Sequence, residues 1–152
     1  MRLWHKDLIP LLPRQQFIAQ YRELCGIAKN WDINGTPNHI LVNKVMDYSV
    51  NHLYTYATLV KDEIKRRDYV INNVSWHNFY EHCLSIKSQE TTESRDLNSI
   101  PYAELYSRWH TDRYLKQCLY NLQEKYDCGG MSQQEWDIIK NYYSLNIKGI
   151  LL

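Results

Sequence analysis

The first twelve residues constrain this chain more than any other stretch. In MRLWHKDLIPLLPRQQFIAQYREL, Leu3, Trp4, Leu8, Ile9, Leu11 and Leu12 follow Met1 almost at once, and Pro10 and Pro13 stiffen the path. Chain ends are ordinarily polar, mobile and tolerant of change. An apolar, proline-stiffened start has to leave water, so the fold must hold its own N-terminus in or against the core.

Beyond that start the periodicity is helical. Pro13 reads as a first helical residue, and Phe17, Ile18, Tyr21, Leu24, Cys25 and Ala28 recur at helical spacing, predicting an amphipathic helix over 13–29. Asn34-Gly35 marks a turn, and Thr36-Pro37 opens a short helix through Met46. Ser49 caps a longer helix whose stripe is Val50, Leu53, Tyr54, Ala57, Val60 and Ile64, ending in Lys65-Arg66-Arg67. After an extended or looped stretch at 68–74, Ser75 opens a helix carrying Trp76, Phe79, Tyr80 and Cys83.

Residues 85–99, SIKSQETTESRDLNS, are almost free of apolar side chains and read as a polar surface loop. From Pro101 the pattern is helical again, with Tyr114, Leu115, Cys118, Leu119 and Leu122 on one face. Gly129-Gly130 closes that helix. Ser132-Gln133-Gln134-Glu135 is a capping box for a last helix with Trp136, Ile139 and Tyr143. With no strand alternation and no repeat, residues 1–152 read as one compact all-α domain of about five or six helices, its N-terminal segment packed into the core.

Charge and composition narrow the function only partly. Lys plus Arg is 18 against 17 Asp plus Glu, a net +1 that does not advertise nucleic acid. Two segments are locally more basic: residues 1–24, and Lys65-Arg66-Arg67. Tyrosine is abundant, 13 against 2 Phe, and suits both helix faces and wet or base-stacking surfaces. No run approaches the ~18 apolar residues a membrane span needs. The four cysteines are scattered without a C-x-x-C pair, which fits reduced thiols and a cytoplasmic setting.

Nucleotide-binding and hydrolase motifs are absent, and no metal or cofactor is expected. His77 and His82 are five apart, about 140° around a helix, not the i, i+4 pair a helical metal site uses. Glu23 stands at the edge of the buried face of the first helix, between Arg22 and Leu24. Alone it reads as a solvated or ion-paired side chain.

The run LPRQQFIAQYREL, residues 12–24, changes that reading. It resembles the pyrimidine-dimer DNA glycosylase family, of the endonuclease V type known from phage. MRLWHKDLIPLLPRQQ is similar to a bacterial branch grouped with that family. LVKDEIKRRDY fits it more loosely, and WDIIKNYY only faintly.

The resemblance implies an all-α fold and DNA repair by base excision with abasic-site lyase chemistry, the nucleophile being the chain's own α-amine. α-Amines titrate at about 7.7–8.0 against about 10.4 for lysine, so a useful fraction is unprotonated near neutrality. Attack at the sugar C1′ expels the base, forms a Schiff base and permits β-elimination. Glu23 falls on the family's catalytic glutamate and Arg22 on a DNA-contacting arginine. Gln15 matches a glutamine near the phosphates.

In the phage type the mature chain begins with threonine followed by arginine. Aligning that arginine with Arg2 puts Met1 in the nucleophile's place. The family arginine one turn beyond the glutamate has no match, since Cys25 and Gly26 stand there. The expected partner is double-stranded damaged DNA, bound by a monomer through Arg2, Gln15, Arg22, Lys65, Arg66 and Arg67. Three rival readings are a non-catalytic nucleic-acid-binding module on the same fold, a purely structural domain, and a glycosylase or lyase for another lesion.

Overall fold

The computed structural model describes residues 1–90 and 96–143. Among these, five α-helices carry the fold: α1 Arg14–Asn34, α2 Val50–Arg66, α3 Asn73–Glu90, α4 Asp112–Asp127 and α5 Gln133–Tyr143. Short 3-10 helices span Lys6–Leu11 and Asn43–Asp47, and no strand occurs among the described residues.

The long helix α1 packs chiefly on α3. The helix α2 leans on both, and α4 pairs with α5. The first 3-10 helix lies against α2. Leu3, Trp4, Leu8, Ile9 and Leu12 are all buried, in one cluster with Phe17 and Leu24 of α1 and Leu53, Tyr56 and Val60 of α2. Each fully buried Leu is worth about 1.5–3 kcal/mol, so the apolar start is a substantial part of the core.

Several local signals hold. Gly35, at φ 76°, closes α1 with its N–H on the Trp31 carbonyl. The capping box forms as read: Glu135 N donates to Ser132 Oγ and Ser132 N to Glu135 Oε1, both at 3.1 Å. Gly129 (φ 81°) and Gly130 donate to the carbonyls of Tyr126 and Lys125, the paired bonds of a Schellman close to α4.

Others shift. Pro13 caps α1 from outside, and the helix begins at Arg14. No helix runs from Thr36 to Met46; Asn38 sits at φ 55°, and only the 3-10 turn at Asn43–Asp47 forms. Asn72, not Ser75, caps α3, its Oδ1 accepting from Val74 N and Ser75 N.

The polar segment at 85–99 is not a loop throughout. Helix α3 continues to Glu90 because Ile86 is buried and the Glu90 carboxylate accepts from Val50 N at 2.8 Å, capping α2. Residues 91–95 of that segment lie outside the described residues, and 96–100 are irregular. The region from Pro101 is turns until Thr111 caps α4.

Candidate active site

The N-terminal segment is latched by its backbone. Gln20 is fully buried in the stripe between Phe17 and Leu24, where an apolar residue is expected. Its Oε1 accepts from Trp4 N at 2.8 Å, and its Nε2 donates to the Arg2 carbonyl at 3.0 Å. Tyr56, also fully buried, donates to the Trp4 carbonyl at 2.6 Å and shares Gln20 Oε1 at 3.0 Å. Tyr114 donates to the Leu3 carbonyl at 2.6 Å, and Lys6 N donates to His110 Nδ1 at 2.9 Å. Burial raises the pKa of both phenols, so each stays a neutral donor at neutral pH.

Ahead of this latch the chain emerges into a cleft of about 530 Å³. Met1 and Arg2 form one part of its wall, Gln15, Gln16, Arg22 and Glu23 of α1 another. Leu41, Asn121 and Lys125 join the wall from more distant parts of the chain. Glu23 is half-buried; its Oε2 lies 3.5 Å from Arg2 N and 3.4 Å from Gln20 Nε2, the long end of hydrogen-bond range. The Arg2 guanidinium stands 5.7 Å from the Trp4 ring centroid and 6.0 Å from that of Tyr114. Three basic side chains thus line the cleft against one carboxylate.

The structure brings Met1, Arg2, Gln15, Arg22 and Glu23 together in this cleft. It does not bring Lys65, Arg66 or Arg67 there. Buried Glu63 lies three and four residues before the arginines and takes both, Arg66 Nε and Arg67 Nε each at 2.7 Å. Burial alone would raise the Glu63 pKa, but the two guanidinium groups outweigh it and the value falls. Arg67 also reaches the carbonyls of Ile9 and Pro10 and stacks 4.0 Å from the Phe17 ring centroid, tying α2 to the N-terminal segment. Lys65 is exposed away from the cleft.

His77 and His82 do not converge either: His82 pairs with Asp32 at 2.7 Å, and His77 faces Glu81. No cluster of three potential metal ligands occurs among the described residues.

Beneath the latch lies a buried basic cluster. His5 and His110 stack at 5.1 Å, with His5 Nε2 on the His110 carbonyl. The Lys6 ammonium is buried on the carbonyls of Tyr102 and Leu105, at 2.6 and 2.7 Å. Burial is the main cause that lowers the pKa of all three, and for His110, with His5 and Lys6 also opposing its charge, the value falls to about 2. His110 Nδ1 accepts from Lys6 N, so the hydrogen-bond network assigns its proton to Nε2.

A family model described as pyrimidine dimer DNA glycosylase matches residues 1–77, just over half of the 152-residue chain, and the chain belongs to that family. Its activity class is that of a DNA repair glycosylase, and its substrate is DNA. The match covers the N-terminal segment and the α1 wall but stops before α4, so Asn121 and Lys125 lie outside it. No curated protein and no solved structure matches the chain. No helix among the described residues is long and apolar enough to cross a membrane.

Sequence reasoning missed Gln20, Asn121 and Lys125. Gln20 left a signal, a polar amide inside the apolar stripe of α1. The other two left none, because only the packing of α4 relates them to the N-terminus.

Proposed function

We propose that this protein is a DNA glycosylase with abasic-site lyase activity on pyrimidine dimers or related lesions, and that the Met1 α-amine is its nucleophile. The observation that carries this reading is that Met1 lines the same cleft as Glu23 while the backbone behind it is latched by Gln20, Tyr56 and Tyr114. A firmly held terminus beside a carboxylate suits a reaction in which the amine must meet the sugar in a fixed geometry.

In this reading the amine lone pair attacks C1′ and the bond to the base breaks, the base leaving with the electron pair. The sugar ring then opens at C1′–O4′ to give the iminium. Loss of a C2′ proton breaks the C3′–O bond, and the strand is cut with the phosphate as leaving group. Glu23 stabilises the cationic sugar and carries protons in ring opening and elimination. Arg2, Gln15, Arg22 and Lys125 hold phosphates. A dimer already weakens pairing and stacking, so the damaged nucleotide is the cheaper one to extrude.

The test is borohydride trapping on duplex DNA carrying an abasic site, for the native-start protein, a version extended before Met1, and Glu23→Gln. Trapping by the native start alone supports the reading. DNA binding with no trapping in any version favours the non-catalytic module. That alternative draws on the absence of the family's further arginine, where Cys25 and Gly26 stand.

A further inference from the structure

One part of the cleft lip has no role in the chemistry above. Ile40 is 86% exposed and Leu41 47%, and Leu41 forms part of the cleft wall with Met1, Arg2 and Glu23. Scattered exposed aliphatic residues are ordinary. These two are consecutive, and the turn that bears them is built rather than slack.

The His39 carbonyl accepts from Val42 N at 3.0 Å and Asn43 N at 2.9 Å, and His39 Nδ1 accepts from Leu41 N at 3.3 Å. Asn43 Oδ1 closes the turn by accepting from His39 N at 3.0 Å. On its C-terminal side Val42 and Val45 are fully buried and anchor the turn to the core. Two branched side chains are therefore held in water, in a fixed place, at the edge of the cleft.

The charge of the cleft says what meets them. Arg2, Arg22 and Lys125 against Glu23 fit a polyanion, and the polyanion with an apolar interior is a nucleic-acid duplex, whose stacked bases open at a damaged step. Extruding a nucleotide leaves a gap in that stack, and an aliphatic side chain entering the gap keeps it from closing.

We infer that Ile40 and Leu41 form a wedge that enters the base stack beside the lesion when duplex DNA occupies the cleft. This rests on the DNA-glycosylase reading of the same cleft. The wedge touches bases and holds the distorted duplex; it takes no part in bond making.

The test uses a duplex with an uncleavable abasic analogue next to 2-aminopurine, whose fluorescence rises on unstacking, and the double variant Ile40→Ser, Leu41→Ser. Both side chains are exposed, so thermal melting of the variant should match the parent. Binding of the parent should raise the fluorescence. The variant should bind at low salt with little rise. It should cleave lesion duplex about ten- to a hundredfold more slowly, as losing apolar burial of one or two aliphatic side chains implies. Trapping on a single-stranded abasic oligonucleotide, which has no stack to wedge, should be unchanged.

An equal fluorescence rise in parent and variant overturns the wedge. So does a loss of rate shared by single strand and duplex, or a parent that self-associates through this pair and is made monomeric by the serines. A parent that raises the fluorescence yet never traps would leave the wedge standing and sink the glycosylase reading instead.

Discussion

Replacing Gln20 by leucine tests whether the latched N-terminus matters. The two side chains are similar in size, so the change removes hydrogen bonds with little change of packing. Trp4 N–H loses its buried acceptor and the Arg2 carbonyl loses its donor, while Tyr56 keeps its bond to the Trp4 carbonyl. An orphaned buried donor or acceptor costs about 1–3 kcal/mol. Trp4 is buried and takes the full range. Arg2 is half-buried, so water recovers part of its loss, and the sum is about 2–4 kcal/mol.

Much of that should appear as local opening of residues 1–6, because the neighbouring helices keep their own contacts. Native-state hydrogen exchange at the Lys6 amide, which Gln20 does not touch, should then accelerate by about 30-fold or more relative to amides in α3. Urea denaturation gives the global part, and single-turnover cleavage gives the functional part, which should fall with the opening. A variant with unchanged exchange at Lys6, stability within about 0.5 kcal/mol and full activity would refute the latch.

Acid should loosen the same region. The folded pKa values of His5 and His110 are lowered by burial, so the fold requires both neutral, while the unfolded chain takes up protons near 6.5. Stability is therefore complete above about pH 6.5 and falls as pH drops toward the folded values, by up to about 1.4 kcal/mol per pH unit for each histidine. Urea denaturation from pH 7.5 to 5 checks this, and His110→Gln should flatten the slope; a pH-independent midpoint would contradict it. Lys125→Ala should weaken duplex binding and lower the salt slope by about 1, read by anisotropy titrations at several salt concentrations. Gly129→Ala should cost about 1–2 kcal/mol, since its φ of 81° strains any residue with a Cβ; thermal melting measures it.

What the sequence disclosed follows the range of the interactions involved. The capping box at Ser132, the Gly129-Gly130 close and the Gly35 cap are decided within a few residues, and each forms as read. The buried start was legible because apolar side chains at Leu3, Trp4 and Leu8 have no other stable place. The extension of α3 to Glu90 was not, because one buried apolar side chain, Ile86, and one carboxylate bonded to Val50 hold a stretch that is otherwise polar. The pairing of Arg66 and Arg67 with Glu63 could have been read as well, since three and four residues' distance is the spacing of a helical ion pair. The Lys6–His110 bond and the α4 wall join residues about a hundred positions apart, and no local pattern encodes them.

The most direct test of the account is to locate the trapped adduct. After borohydride reduction on abasic duplex DNA, proteolysis and mass spectrometry identify the nitrogen that carries the sugar. The account predicts the added mass on the α-amine of the peptide that begins at Met1, and its loss when residues are added before Met1. Lys125 supplies the one lysine amine among the described residues lining the cleft. An adduct on Lys125, or a mature chain that begins at Arg2, would contradict the account.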